Sequence, residues 1–345
     1  MGRTGGHQRG DSVAAYGQVF MATVRPCSRR GAESGGGPVR ALVGPGDCRG
    51  IISGVVGGRR FEITLRQGVA EDAPACGTIC FEAFSALAAA HSFPPDLPSA
   101  EVATGLVSMM LSHPGFYSVV AERDGAVVGS NFLDQRSSVA GVGPTTVAPG
   151  AQNASIGRML MEAVMTRADE RHAPGVRLVQ AAYHNRSLSL YAKLGFEVRE
   201  PLACMQGPPF EIRIDGYTTR PATPTDLESC NALCWTVHGH DRSGEIVDAC
   251  AQGTALVVEH DGRVTGYSTG LAFFGHSVGE TDESLKALIA SGAAFAGPGI
   301  LVPVRRGPLF RFCLDHGLRV VQTMTLMTSG LYSEPSGAYL PSIVY

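Results

Sequence analysis

The strongest constraint on the fold is an internal repeat, in which three segments recur in the same order along the chain. The segment from Arg66 to Cys80 aligns with that from Arg220 to Cys234 at an offset of 154 residues. "VVAERDGAVVGS" aligns with "LVVEHDGRVTGY" at an offset of 137, and "LYAKLGFEVREPLACM" with "FCLDHGLRVVQTMTLM" at an offset of 122. The chain therefore contains two copies of one unit, and the second copy is the shorter.

Each copy has the same predicted element order. A strand, an Asp-Gly turn and a second strand occur at Asp124-Gly125 and again at Asp261-Gly262, which predicts two hairpins. An amphipathic helix ends at Gly195 in one copy and at Gly317 in the other, and a strand follows. Both copies then comprise strand, helix, helix, hairpin, strand, helix, strand, helix, strand. This order predicts an α/β (α+β) fold.

The first 60 residues differ from the rest of the chain. They contain 15 Gly, 9 Arg and only three acidic residues, and no apolar period persists. Such a composition cannot bury a core, so residues 1–60 are predicted to be a disordered, dispensable extension. The segment also lacks the compact apolar stretch of a signal peptide.

Composition narrows the class of protein. The chain of 345 residues is 44% hydrophobic and 17% charged with a net charge of −3, which gives no charge excess for binding nucleic acid. No run approaches the roughly 20 apolar residues of a membrane span. The nine cysteines are scattered without a C-x-x-C pair, so buried free thiols and a cytoplasmic location are expected.

A loop of small residues joins a helix directly in "APGAQNASIGRMLMEAV". Ile156, Leu160 and Val164 recur every four residues and mark the apolar face of that helix. Backbone N–H groups at a helix start have no acceptor within the helix, and the helix dipole is positive there. The junction is therefore a candidate anion-binding site.

Two motifs on this frame resemble the signatures of the GNAT superfamily of acyl-CoA-dependent N-acetyltransferases. The first, V-x-P followed by Q-x-x-G-x-G-[RK]-x-L, corresponds to Val147, Ala148, Pro149, Gln152, Asn153, Ala154, Ser155, Ile156, Gly157, Arg158 and Leu160. The second, N-x-x-[AS]-x-x-L-Y-x-K-L-G-F, corresponds to "HNRSLSLYAKLGF" from His184 to Phe196. The resemblance covers Phe61 to Gln206 and, more weakly, Tyr217 to Tyr345.

The resemblance implies two tandem GNAT-like domains, each a mixed, mostly antiparallel sheet flanked by helices. Residues 61–210 would be the catalytic N-acetyltransferase domain, and residues 211–345 a degenerate GNAT-like domain. It also implies acetyl-CoA as co-substrate, no metal, and direct transfer to an amine in a ternary complex. The expected partner is a small-molecule or peptide amine acceptor, and a homodimer remains open.

The resemblance also implies roles for individual residues. Backbone N–H groups from Asn153 to Arg158 would bind the pyrophosphate of coenzyme A, with Gly157 keeping the approach open and Arg158 adding a charge. Backbone groups at Val147 would pair with the pantetheine arm and stabilise the thioester oxygen. Tyr191 would be the general acid that protonates the leaving thiolate. The implied cofactor-binding set is Val147, Gln152, Asn153, Ala154, Ser155, Ile156, Gly157, Arg158 and His184.

Two positions depart from the family pattern. Ser155 replaces the first glycine of the loop, which costs backbone freedom but keeps the N–H group. His184 replaces the asparagine of the second motif and is followed by Asn185. His184 either bonds the cofactor arm or a water in the site, or closes the end of a strand, and the sequence does not separate these roles.

The general base and the acceptor remain unassigned in the sequence. Glu122, His91 and Asp134 are candidate bases only because they lie on elements that border the predicted cleft, and a solvated surface position is the favoured interpretation of each. The segment from Ala90 to Glu101 is rich in proline and apolar residues and is expected to build the acceptor pocket. A small metabolite, an antibiotic, a polyamine and a protein terminus all remain open as acceptors.

Two other functions compete with this interpretation. "GHSVG" matches the nucleophile elbow of serine hydrolases at Ser277, but His316 is the only later histidine and its neighbour Asp315 diverges from it on a helix. A non-catalytic acyl-CoA sensor is the second alternative, and the retained Tyr191 favours an enzyme. "HGHD" from His238 to Asp241 lacks further ligands at metal-binding spacing.

The second copy is predicted to bind no coenzyme A. Glu280, Asp282 and Glu283 cluster at the start of the helix that corresponds to the cofactor helix, where they would repel a pyrophosphate. Cys313 stands in the place of Tyr191. The copy retains its apolar strands, so it is expected to fold, to pack against the first copy and to help form the wall of the acceptor site.

Overall fold

The computed structural model describes residues 50–56, 59–152 and 154–344. Residues 1–49 of the predicted disordered extension lie outside the described residues. At the end of that extension, Gly50–Val56 form strand β1, which pairs antiparallel with β2 at Arg59–Gln67. The segment "GIISGVV" is rich in β-branched residues, which favour an extended strand over a disordered chain.

The predicted element order is confirmed in both copies, with the strand before the cofactor helix split in two in the first copy. After β2 the first copy contains α1 (Ala73–Ala90), α2 (Ala100–Ser112), β3 (Phe116–Arg123), β4 (Ala126–Asp134), β5 (Ala140–Val142), β6 (Thr146–Val147), α3 (Ile156–Glu170), β7 (Gly175–Ala181), α4 (Asn185–Lys193) and β8 (Glu197–Gln206). The second copy contains β9 (Tyr217–Pro221), α5 (Leu227–His238), α6 (Ser243–Gln252), β10 (Leu256–His260), β11 (Arg263–Ser268), β12 (Ser277–Gly279), α7 (Asp282–Ala290), β13 (Ile300–Pro303), α8 (Gly307–Asp315), β14 (Arg319–Gly330) and β15 (Ala338–Leu340).

The two copies exchange strands, which the sequence does not predict. The larger sheet has the order β1-β2-β3-β4-β5-β7-β14-β8-β13, with β6 also paired to β4, and the smaller has the order β15-β12-β11-β10-β9. Strand β14 of the second copy lies between β7 and β8 of the first, antiparallel to both. Strand β13 pairs with β8 on its other side. Strands of the two copies therefore alternate across the centre of the molecule.

Helices α1 and α3 cover opposite faces of the larger sheet. Neighbouring residues of an extended chain point to opposite faces. Thr145 Oγ1 lies 3.3 Å from Met161 Sδ of α3, whereas Thr146 Oγ1 lies 3.2 Å from Ser130 Oγ. Ser130 in turn is hydrogen-bonded to Cys76 of α1. The side chains of Thr145 and Thr146 thus identify the α3 face and the α1 face respectively.

The second copy packs into the core of the first, as predicted. Phe273, Ile343 and Val344 are buried in one cluster with the side chains of β4, β7 and α3. The carbonyl oxygen of Val344 lies directly against Gly141, so close that a Cβ at Gly141 would clash with it. A contribution of the second copy to the acceptor wall stays a prediction.

Helix α1 is the described segment that most resembles a membrane span. Within residues 50–56, 59–152 and 154–344, only Ala70–Ala90 is long and apolar enough to cross a bilayer, and half of it is buried in the fold. Its inner face carries Cys76, Cys80, Ala83 and Phe84, which belong to the core of the larger sheet. In this structure the apolar composition of α1 is therefore accounted for by packing.

Candidate active site

A cleft opens where two parallel strands separate. Strands β5 and β7 are paired at Ala140 with Val176 and at Gly141 with Arg177. Beyond these positions β7 continues beside β14. Strand β6, which follows β5, pairs only with β4 among the described strands. The gap between β6 and the second half of β7 is the candidate active site.

Val147 presents its backbone N–H to this cleft. Hydrogen-bonded and non-hydrogen-bonded positions alternate along an antiparallel pair. The N–H of Ala148 donates to the Val128 oxygen at 2.9 Å, so Val147, opposite Gly129, is at a non-hydrogen-bonded position. Its N–H and C=O therefore point away from β4, and the Val147 oxygen accepts from Gln152 Nε2 at 3.4 Å. This orientation is the one that an extended ligand arm requires for strand-like pairing.

The loop between β6 and α3 places backbone donors at the mouth of the cleft. The first hydrogen bond of α3 runs from the Met159 N–H to the Ser155 oxygen at 3.1 Å, so the N–H groups of residues 156–158 precede the helical ladder. The Ser155 side chain makes no capping hydrogen bond, and the first turn has no acidic residue. These N–H groups are therefore directed at the position that an anion would occupy. Asn153, also predicted to bind the cofactor, lies outside the described residues.

A Cβ would fit at Gly157, between β6 and α4. A Cβ at Gly157 would lie 3.9 Å from both Val147 Cγ2 and Leu190 Cδ2, which is ordinary van der Waals distance. The described neighbours therefore do not require a glycine at this position. Close approach of a ligand to the backbone would require one. Ser155 has a φ of +59°, in the left-handed region, which costs a residue with a Cβ about 1–2 kcal/mol. The backbone conformation thus explains why the family pattern has glycine there.

The remaining residues of the loop differ in their exposure. Ile156 is buried and fixes the start of α3 in the core, while Ala154 is half-buried in the loop. The Arg158 guanidinium pairs with Glu162, one turn later, at 3.3 Å. Arg158 thus adds positive charge near the first turn, but the neighbouring carboxylate offsets part of it.

Tyr191 lies beside the cleft on the α3 face. It is 1% exposed and its ring packs edge-on against Phe196, with 6.1 Å between the centroids. Its phenol is hydrogen-bonded to Ser187 and to Thr145, which precedes β6. Burial raises the pKa of Tyr191 above its usual value, and these two hydrogen bonds offset only part of the effect. The phenol therefore keeps its proton at neutral pH.

His184 belongs to the same chain of hydrogen bonds. It is buried immediately before α4. Its backbone N–H donates to the Ala181 backbone oxygen at 2.9 Å and thereby closes the turn after β7. Its Nδ1 lies 2.5 Å from Ser187 Oγ. Sequence reasoning did not single out Ser187, although its spacing of three from His184 and four from Tyr191 places all three on one helix face. The structure thus connects His184 to Tyr191 through one hydroxyl.

The carboxylates considered as general bases are held in ion pairs. Arg66 Nη2 lies 2.7 Å from Glu122 Oε1, and Arg136 Nη2 lies 2.6 Å from Asp134 Oδ2. His91 lies at the end of α1 with its ring 5.0 Å from the ring of Tyr183. These partners neutralise the charge of both carboxylates and fix their positions, which disfavours either as a mobile proton acceptor.

Ser277 does not form a nucleophile elbow. It lies within β12, is 1% exposed, and its hydroxyl donates to Ser268 Oγ at 2.9 Å. The neighbouring His276 points elsewhere, with Nδ1 3.1 Å from Glu245 Oε2 and Nε2 2.9 Å from the Tyr267 hydroxyl. A nucleophile elbow needs a strand–turn–helix junction with an exposed serine. The geometry therefore gives the hydrolase alternative no support.

No group of three or more His, Cys, Asp or Glu side chains in residues 50–56, 59–152 and 154–344 could hold a metal ion. A reaction without metal stays a prediction.

In the second copy the equivalent of the cleft is filled by the chain itself. Gly279 corresponds to Val147, because it lies opposite Gly266 in the second hairpin as Val147 lies opposite Gly129. Its outward side pairs with Ala338 of β15. Strand β15 thus occupies the edge at which the first copy leaves a gap.

The N-terminus of α7 is also occupied, by side chains of the protein itself. The Thr281 side chain accepts from the Ser284 N–H at 3.3 Å and caps the helix. Asp282 and Glu283 lie in the first turn, as predicted, and Asp282 pairs with Arg306 at 2.8 Å. The helix dipole is therefore already complemented by the protein.

From this we predict one acetyl-CoA site per chain. Isothermal titration of the full chain with acetyl-CoA should saturate at equimolar ligand, because β15 and the capped α7 leave the second copy without a site. A stoichiometry of two would contradict the prediction, as would residual saturable binding after the loop of the first copy is blocked by Gly157→Glu.

The comparisons with known proteins agree with this geometry. Residues 85–196 match the acetyltransferase (GNAT) family model. The fold is similar to a candidate acetyltransferase of Pyrococcus horikoshii (16% identity, 80% of this chain and 91% of that chain covered, TM-score 0.60). It is also similar to a GCN5-related N-acetyltransferase of Sphaerobacter thermophilus (18% identity, 79% and 96% covered, TM-score 0.54). No curated protein matches the chain in sequence.

The family match spans α3, α4 and the cleft between β6 and β7, and the structural likenesses extend over both copies. Residues 85–196 of the first copy therefore match the acetyltransferase (GNAT) family, and the chain has a tandem fold in which a second, divergent copy of the same unit follows the first.

Proposed function

We propose that the first copy is an acetyl-CoA-dependent N-acetyltransferase that transfers the acetyl group directly to an amine in a ternary complex. The observation that carries this proposal is the buried Tyr191 phenol, which is bonded to Thr145 two residues before Val147 at the edge of the cleft. The family match supports acetyl transfer in general. The phenol supports an enzyme over a non-catalytic acyl-CoA sensor, since a sensor needs no acid for a leaving group.

The residues present fit a nucleotide thioester. Bound acetyl-CoA would supply an activated acyl group. The N–H groups of residues 156–158, together with Asn153, Ala154 and Ser155, would bind its pyrophosphate at the dipole of α3. The Val147 N–H would orient the extended arm and stabilise the carbonyl oxygen of the thioester.

The buried hydrogen-bond chain would manage the proton of the leaving group. Tyr191 would donate its phenolic proton to the departing sulfur, since the phenol is protonated at neutral pH. Ser187 and His184 would then return a proton to the phenolate along the chain that ends at His184. This role gives His184 a function in proton supply, in addition to closing the turn after β7.

The class of acceptor, the cellular location and the oligomeric state are also proposals. Small metabolites, antibiotics, polyamines and protein termini all present an amine, and a panel of such amines scored by release of free coenzyme A would identify the acceptor. A cytoplasmic location agrees with the free thiols of the described cysteines, of which only Cys250 is not buried. A homodimer stays open.

We expect Tyr191→Phe to lower kcat by about 10²-fold, which is the usual contribution of one general acid. The affinity for acetyl-CoA should stay near that of the wild type, because the phenol acts on the leaving sulfur. Release of free thiol measures kcat, and calorimetry measures binding. Tyr267→Phe is the matched control: it also removes a buried, hydrogen-bonded phenol, but in the second copy. Equal turnover by wild type and Tyr191→Phe would remove Tyr191 from the reaction.

A further inference from the structure

The loop between α1 and α2 brings a buried carboxylate to the cleft. Asp96 is 8% exposed and accepts a hydrogen bond from Gln322 Nε2 of β14 at 2.7 Å. The hydroxyl of Tyr183, two residues beyond β7, donates to Gln322 Oε1 at 3.3 Å. The N–H of Ala182 donates to the Thr323 oxygen at 3.0 Å, which keeps β7 and β14 together at this end. Asp96 therefore lies over the end of β7 that borders the cleft.

Asp96 and Tyr191 lie on opposite faces of the sheet. Tyr191 is bonded to Thr145, whose side chain contacts α3. Asp96 lies on the loop that joins α1 to α2, and these two helices pack against each other on the other face. Strand β6 and the second half of β7 are not paired, so the gap between them interrupts the sheet between these two faces. An acyl group in the cleft would thus have a proton donor on one face and a carboxylate on the other.

We propose that Asp96 is the general base that accepts the proton of the attacking amine. This inference rests on the proposed acetyl transfer and adds a catalytic residue to it. The nitrogen–carbon bond forms as the carbon–sulfur bond breaks. Asp96 takes one proton from the nitrogen on the α1 face, and Tyr191 gives one to the sulfur on the α3 face. Exchange with solvent then restores Asp96, and the hydrogen bonds through Ser187 and His184 restore Tyr191, so a neutral amine and a thioester yield an amide and a thiol.

The surroundings of Asp96 suit a base. Burial raises its pKa to about 6, and the hydrogen bond from Gln322 offsets part of that rise. Asp96 interacts electrostatically with Cys80 on α1, Tyr183 after β7 and Cys204 on β8. Burial raises the pKa of each of these three groups, so all are neutral at pH 7. Above pH 6 the carboxylate is therefore ionised and remains a stronger base than an exposed aspartate.

Gln322 acts as a positioning residue in this arrangement. Its amide donates to Asp96 and its oxygen accepts from Tyr183, so it fixes the carboxylate relative to the end of β7. Gln322 belongs to the second copy. The exchange of strands would thus supply part of the support for the catalytic site of the first copy.

The test is the pH dependence of kcat/KM in the full chain. An amine acceptor found with the panel is assayed from pH 5 to 9 by release of free coenzyme A. Wild-type kcat/KM should show a rise centred near pH 6, because the base must be ionised, and a second rise near the pKa of the acceptor amine, because only the neutral amine attacks. Asp96→Asn should lower kcat/KM by about 10²-fold or more at pH 8 and abolish the rise near pH 6. The profile is measured with two acceptors whose amines differ in pKa. A rise in kcat/KM at the same pH for both acceptors is caused by the enzyme, and one that moves with the acceptor is caused by the amine.

Further variants distinguish a catalytic role of Asp96 from a structural one. Asp241→Asn changes an aspartate in the corresponding loop of the second copy and should leave the profile unchanged. Gln322→Leu should lower kcat and shift the rise to higher pH, because it removes the hydrogen bond that stabilises the ionised carboxylate. The melting temperature of Asp96→Asn at pH 8 should not fall, since the variant removes a buried charge.

The outcomes are distinguishable. If Tyr191→Phe is impaired but Asp96→Asn keeps the wild-type profile, Asp96 is not the base and the proposed function stands. If the wild-type chain releases no coenzyme A with any amine, the proposed function and the role of Asp96 both fail.

Discussion

A chain carrying Gly157→Glu should remain folded and lose measurable binding of acetyl-CoA. A Cβ at Gly157 would have its nearest neighbours at 3.9 Å, which is ordinary van der Waals contact, so attachment of a side chain does not clash with the protein at that atom. Its carboxylate would lie at the start of α3, where it complements the helix dipole and occupies the place of the ligand phosphates. A repulsion of about 1 kcal/mol per close charge pair in water-like surroundings adds to the steric block.

Calorimetry of the purified chain measures this effect, and thermal unfolding shows that the variant is folded. Gly157→Ala should give an intermediate loss of affinity, because a methyl group crowds the ligand without a charge. Gly105→Glu is the matched control for the added charge: Gly105 lies on α2, and a Cβ there meets no atom within 4 Å. Near-native affinity in a folded Gly157→Glu chain would mean that the phosphates bind elsewhere.

Neither residues 50–210 nor residues 211–345 should fold when produced alone. Strand β14 lies between β7 and β8, so separation of the copies leaves unpaired backbone groups on all three strands. Met324, Leu326 and Met327 of β14 are each at most 1% exposed in the core of the first copy. Burial of each contributes about 1.5–3 kcal/mol, which is a large part of the usual stability of a domain.

Near-UV circular dichroism and thermal unfolding of each fragment measure this prediction. Each fragment should lack a cooperative transition, and co-expression of the two should restore one, with both fragments eluting together in gel filtration. Truncation after residue 330 is the comparison, because it removes β15 and leaves the strand exchange intact. A cooperative transition in the isolated residues 211–345 would show that the second copy is an independent domain.

Local features of the structure could be predicted from the sequence. The two hairpins form at Asp124-Gly125 and Asp261-Gly262, where both aspartates and both glycines have positive φ. Helix α3 begins at Ile156, directly after the loop of small residues. These features depend on conformational preferences of neighbouring residues, so the sequence pattern contains most of what determines them.

The catalytic arrangement was only partly predictable. Tyr191 could be named from its motif, but its bond to Thr145 depends on the packing of α4 against the cleft. Asp96 was not singled out, because it lies in the proline-rich segment "SFPPDLPSAE", which carries no helical or strand period. Its burial results from contact with Gln322, which lies 226 residues further along the chain. Contacts of that separation have no signature in a single sequence.

The histidine-containing motifs of the second copy show the same limit. "HGHD" and "GHSVG" look like polar loops or functional motifs, but the structure buries their histidines His238, His240 and His276. Arg242 and His276 both contact the Glu245 carboxylate in the interior, where burial lowers the pKa of His276 to about 4. The histidine is therefore neutral and part of a buried hydrogen-bond network.

The sequence by itself determined the repeat, the order of elements in both copies, and the small residues that open the loop before α3. Each of these is encoded within a few residues or by direct comparison of two segments. Only the tertiary structure decided that β14 enters the sheet of the first copy and that β15 fills the groove of the second. A strand with alternating apolar residues can pair with any complementary edge. Which edge it takes depends on the total burial and hydrogen bonding of the whole chain, and that sum is defined only once the chain has folded.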